Sequence, residues 1–120
     1  MLLQFNFSNY RSFRNEASLD LTATGISELN SHIVEMGRDR VLPVAVLFGA
    51  NASGKSNVYK AFAYMKDFVV NSFAYGGEMA ERDEYPSPPR FAWTKESTDP
   101  ALFEVYVVDH DTLRTMNYGF

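Results

Sequence analysis

Residues 46–57 read VLFGANASGKSN, and this stretch restricts the fold more than any other. An apolar segment runs straight into Gly49-x-x-x-x-Gly54-Lys55-Ser56, the spacing of a phosphate-binding loop, and an amphipathic segment follows. Strand, glycine-bracketed loop and helix, in that order, are the context that gives such a spacing its meaning. Val41 to Phe48 is almost wholly apolar, with Val at three places, which predicts a central strand covered on both faces. Pro43 stands near its start, where a missing N–H is tolerated. Downstream, Val58, Phe62, Met65, Val69 and Phe73 recur at spacings of four and three, the period of an amphipathic helix of about five turns. Gly76-Gly77 supplies its stop.

Each position in the loop has a physical part to play. A triphosphate carries several negative charges that must be met without bulky groups in the way. Gly49 and Gly54 let the backbone curl so that successive N–H groups turn inward, and Ala50, Ala52 and Ser53 are small enough to keep that cradle open. The helix begins near Gly54 or Lys55, so its positive end faces the phosphates. Lys55 supplies a point charge for the β- and γ-phosphates, and Ser56 a hydroxyl for Mg²⁺. The expected ligands are therefore a nucleotide, ATP or GTP, and Mg²⁺. The bland alternative is a glycine-rich turn with no ligand, but a turn needs no Lys-Ser pair.

The remaining pattern builds a small α/β lobe. Leu3, Phe5 and Phe7 alternate with Gln4 and Asn6, and Ala17 to Ala23 alternates again, predicting two strands paired antiparallel across a short polar turn. Residues 25–40 show little periodicity, with a short helix expected near 26–30. Residues 78–90 are charged and then Pro-rich, a surface loop. Leu102 to Val108 and Thr112 to Phe120 read as a hairpin about Asp109-His110-Asp111. Trp93 reads as a core residue.

With 120 residues, 46% of them hydrophobic, the chain suits one modest core. Its net charge of −4 gives no support for a general nucleic-acid surface. No cysteine is present, which excludes disulfides, thiolate zinc sites and a cysteine nucleophile. No apolar run nears the roughly 20 residues that cross a bilayer, and no secretory leader is evident, so the expected location is the cytoplasm and no membrane partner is expected.

Two segments carry a family resemblance. Phe7-Ser8-Asn9-Tyr10-Arg11-Ser12-Phe13 resembles the N-F-R-S-F segment after the first strand of SMC- and RecF-like ATPases. Gly49 to Asn57 resembles their Walker A form, G-x-N-x-x-G-K-S-N, with Asn51 and Asn57 the discriminating positions. Within that group the chain is most similar to bacterial AAA-family ATPases related to overcoming-lysogenization-defect (OLD) nucleases and abortive-infection ATPases. The resemblance implies the N-terminal ATP-binding lobe, residues 1–120, of an ABC-type head with a mixed sheet, a piece of a longer ATPase. It would put Arg11 against phosphate or ribose, Asn51 toward the γ-phosphate and Asn57 at the helix start, with Asn9, Ser12 and Arg14 as lesser candidates.

What the family pattern adds downstream is not found in this sequence. Val105 to Asp109 is apolar and ends in an acid, but His110 stands where a Walker B strand has Glu, and a hairpin turn is the better reading. No catalytic residue is identified, and no general base is in place to orient an attacking water. The expected partners are a nucleotide and a second ATPase head or a second copy of the chain, with DNA a partner for a longer parent only. Three readings of function result: an ATPase lobe acting in DNA metabolism or phage defence, a nucleotide-binding module with no turnover of its own, and an interaction module with an empty loop.

Overall fold

The computed structural model describes residues 1–25, 30–75, 87–93 and 99–120, with side chains described to Asn71 in the helix. The expected stop at Gly76-Gly77, most of the helix expected near 26–30, and residues 78–86 of the surface loop lie outside the described residues.

The alternation at the N-terminus forms β1 (Leu2–Ser8), and β2 (Ala17–Asp20) lies antiparallel beside it with Phe5 opposite Leu19. The other edge of β1 takes β5 (Leu102–Val108), antiparallel with Phe7 opposite Phe103, and β5 takes β6 (Thr115–Gly119). The sheet therefore runs β2-β1-β5-β6. Period-2 alternation gives it two faces. Phe5, Phe7, Phe103 and Val105 turn to one side, where Ala61 and Met65 of helix α1 (Lys55–Tyr75) complete a buried cluster. Fully burying one such aromatic side chain stabilises by about 1.5–3 kcal/mol, so this layer holds α1 on the sheet. Asn6 belongs to the other side, accepting from Gln4 and donating to Glu104 at 3.0 Å, which satisfies an amide that is almost wholly buried.

A second, smaller pair stands between the sheet and the helix in sequence. After a 3₁₀ turn at Asn30–His32, β3 (Val34–Met36) and β4 (Asp39–Val41) form a hairpin closed by Gly37-Arg38. Gly37 has φ +66, the left-handed conformation that a two-residue hairpin of this kind requires at its first position. Met36, Val41, Leu3 and Val108 pack together beneath it. This hairpin falls in the stretch whose periodicity looked weak, because three-residue strands are too short to display a period.

The central strand expected over Val41 to Phe48 is not formed. Regular structure stops at Val41, and the run that follows is open to solvent, Val46 to 65% and Phe48 to 90%. An apolar run shows that a segment needs cover, but a strand also needs a neighbour for its N–H and C=O groups. No described strand lies alongside this one. The same cause removes the mixed sheet: all described pairings are antiparallel. Trp93 is likewise exposed, not part of the core. Among the described side chains of α1 the buried positions are Ala61 and Met65, with Val58 and Phe62 half-buried, whereas Val69 faces outward; Phe73 lies outside the described side chains.

Candidate nucleotide site

Helix α1 starts where the sequence places it, and the backbone of Gly54 shows why. Its carbonyl accepts from the N–H groups of Asn57 (2.8 Å) and Val58 (3.2 Å), so Gly54 is the residue that caps the first turn. To reach that position it adopts φ +93, open to glycine and strained for other residues. Two residues earlier, Ala52 also lies in the left-handed region (φ +63), and Ser53 N–H donates back to the Ala50 carbonyl. The curled backbone of residues 51–57 borders an open cleft of about 420 Å³ at the positive end of the helix.

Lys55 spans this curl. Its ammonium donates to the carbonyls of Gly49 (2.7 Å) and Ala50 (2.6 Å) and to Ser53 Oγ (3.3 Å). All three partners are neutral, and among the described residues no carboxylate pairs with it. The full positive charge therefore stays at the cleft, where helix dipole and ammonium reinforce each other. Ser56 is exposed at the second helical position, and Asn51 and Ala52 are exposed on the curl.

The turn at residues 9–13 comes up against the other side of this loop. Tyr10 and Phe13 exchange both backbone hydrogen bonds (2.9 and 2.8 Å), leaving Arg11-Ser12 as a two-residue turn. Asn9 and Arg11 both have positive φ, 51 and 50. Asn57 Nδ2 donates to Ser12 Oγ at 2.9 Å, and a Cβ on Gly54 would stand 3.1 Å from the Phe13 ring. Sequence-selected Asn57 and the segment that holds Arg11 are thus brought together. Arg11 itself donates from Nε to the hydroxyl of buried Tyr10 (3.2 Å), with its guanidinium 5.6 Å over that ring. Its backbone pairs with the carbonyl of Pro89 and the N–H of Ala92.

The contacts of Phe13 and the bridging role of Asn9 were not read from the sequence. Asn9 donates to the Asp99 carbonyl (2.7 Å) and accepts from Phe91 N–H, so a half-turn amide gathers three separated segments. A buried Asn beside a turn is the only signal, and it needs the fold to be seen.

Asp109 is elsewhere. It opens the turn between β5 and β6, where its carboxylate accepts from Thr112 Oγ (2.6 Å) and from the N–H groups of Asp111 and Thr112. These bonds favour the ionised form and hold its pKa below the ordinary value. A carboxylate so engaged is a turn former. His110 and Asp111 make an exposed pair at 3.5 Å, and the described residues contain no cluster of three acids or histidines able to hold a metal.

A magnesium nucleotide still fits the loop. Mg²⁺ bound with a nucleotide takes phosphate oxygens and water for most of its shell, and the protein need add only a hydroxyl such as that of Ser56. Left-handed Gly54, unneutralised Lys55 and the helix end suit the anion.

The model of one protein family, described as "AAA domain, putative AbiEii toxin, Type IV TA system", matches residues 44–120. The match takes in the apolar run from Val44 onward, the loop, α1, β5 and β6, and leaves the turn at residues 9–13 outside. No curated protein and no solved structure matches the chain. No helix among the described residues is long and apolar enough to cross a membrane.

Proposed function

The chain belongs to this AAA-domain family, a P-loop ATPase-like class, and on that premise we propose that it binds Mg²⁺-ATP through residues 49–57 as the nucleotide-holding lobe of an ATPase. One observation carries the reading: a lysine with no carboxylate partner, at a helix start, bonded across a glycine-capped loop. On binding, Lys55 gives up the carbonyls of Gly49 and Ala50 for phosphate oxygens, which exchanges neutral acceptors for charged ones. Backbone N–H groups of the curl and of the first helical turn take the remaining oxygens. Ser56 would hold Mg²⁺ through its hydroxyl, and the ion would offset the charge of the phosphates. Asn51, exposed on the loop and lining the cleft, is given to the terminal phosphate, as the family resemblance implies. Arg11 contributes once its guanidinium leaves Tyr10 for the anion.

We place the lobe in an SMC- and OLD-like ATPase that closes on nucleotide with a second head and serves DNA metabolism or phage defence. The observed occupation of Asp109 in a hairpin turn favours a second reading of this chain by itself, binding without turnover. Titration of the folded chain with a fluorescent ATP analogue and Mg²⁺ tests the binding. Saturable binding that is lost in Lys55→Ala is expected, and no saturable binding refutes it. Steady ATP turnover by this chain, abolished by Lys55→Ala, would refute the second reading. The exposed run at 44–48 and the outer face of α1 also fit self-association, which sedimentation of a strict monomer at high concentration would overturn.

A further inference from the structure

The loop at 49–57 is held to the rest of the chain in an uneven way. Its helical end is anchored, because α1 packs on the sheet through Ala61 and Met65. Its N-terminal end follows a run that has no regular structure and is open to solvent. Residues 51–53 are exposed, and Ala52 sits in a conformation that costs about 1–2 kcal/mol for a residue with a Cβ. A loop in this state has to be templated if it is to present one shape to a ligand.

The template lies in the turn at residues 9–13. Ser12 Oγ receives the Asn57 amide at 2.9 Å and stands 3.2 Å from where a Cβ of Gly54 would be, with the Phe13 ring at 3.1 Å beside it. The turn is itself strained at Arg11, which is left-handed without being glycine, next but one to a left-handed Asn9. Strain of this kind persists only where surroundings over-determine it, and it concentrates at sites that work. Here the surroundings are explicit: Asn9 is almost fully buried and bonded to Asp99, Pro100 and Phe91, and the backbone of Arg11 is bonded to Pro89 and Ala92. Nothing in that set needs the Ser12 hydroxyl. Its described partner is the loop.

We infer that Ser12 is a positioning residue for the nucleotide loop: its hydroxyl fixes Asn57 and the first turn of α1, so that the loop is shaped before the phosphates arrive. The inference rests on the nucleotide reading of the loop. Ser12 acts through Asn57, and the hydroxyl proton that Ser12 does not use on Asn57 is left for another acceptor.

The test is a double-mutant cycle on Mg²⁺-ATP affinity in the 120-residue chain, read with a fluorescent analogue and repeated with inorganic tripolyphosphate, alongside the unfolding midpoint without ligand. Ser12→Ala and Asn57→Ala should each weaken both ligands roughly three- to tenfold, the range of one net hydrogen bond. The double variant should be no weaker than the worse single one, and Ser12→Thr should restore binding. Ser12 is exposed, so the ligand-free midpoint should move little, which a merely structural role would not permit. Additive losses, or Ser12→Ala at wild-type affinity, overturn the inference while leaving nucleotide binding intact. No binding by the wild-type chain overturns both.

Discussion

Gly49 and Gly54 are equivalent in the motif, but the structure ranks them. Gly54 has φ +93 and a crowded Cβ direction: the Phe13 ring at 3.1 and 3.3 Å and Ser12 Oγ at 3.2 Å. Gly54→Ala therefore carries about 1–2 kcal/mol of backbone strain, plus the cost of displacing a ring that is packed edge-on against Phe7 at 4.9 Å. Overpacking of this sort costs about 1–3 kcal/mol, toward the low end because Ser12 and the loop are exposed. A total near 2–3 kcal/mol is expected. It divides between two measurements. A loop that keeps its shape shows the loss as reduced unfolding free energy in denaturant. A loop that relaxes shows it as reduced Mg²⁺-ATP affinity, roughly 30- to 150-fold. Gly49→Ala is the control. Its Cβ would come within 2.8 Å of Ser53 Oγ, but that atom swings away by rotation, and the next contact is ordinary at 3.5 Å. Its combined loss should stay below about 1 kcal/mol. Equal losses for the two variants, or a Gly54→Ala chain unchanged within about 0.5 kcal/mol in both measurements, would refute the argument.

Replacing Lys55 with Met removes three donors from Gly49, Ala50 and Ser53, so amide exchange over residues 49–53 should quicken without ligand and affinity for tripolyphosphate should vanish. Asn9→Ala removes the amide's bonds to the Asp99 carbonyl and the Phe91 N–H and puts a strained φ on alanine, a loss of about 2–4 kcal/mol in denaturant unfolding, with Asn9→Gly less damaging. Asp109 has a folded pKa below the ordinary aspartate value of 3.8, chiefly through the Thr112 hydroxyl. A lowered folded pKa adds stability above the unfolded pKa, and that stability is lost as pH falls through the folded one. The hairpin turn should therefore loosen only below about pH 3.8, and an NMR titration should show the Asp109 midpoint rising toward 3.8 in Thr112→Val. Phe48→Ser, at a 90% exposed site, should alter unfolding free energy by less than about 0.5 kcal/mol.

Elements whose signal is local could be read from the residues alone. Period-2 alternation in Leu3, Phe5 and Phe7 marked β1, and a three-four spacing marked α1 from Lys55. Glycine and lysine at fixed offsets marked the loop, because phosphate chemistry constrains neighbouring residues in one short stretch. Whatever depends on a partner far along the chain emerged only from the folded arrangement. Hydrophobicity at Val44 to Phe48 could ask for a strand but could not supply the adjacent backbone that makes one, so the run stands open. Hairpin β3–β4 was too short to show a period, yet one left-handed glycine closes it. Nor could spacing reveal that Ser12, 45 positions before Asn57, would hold its amide. Motif residues are read from sequence because their chemistry is local. Their supports are not, because a hydrogen bond across the fold leaves no periodic trace in the chain.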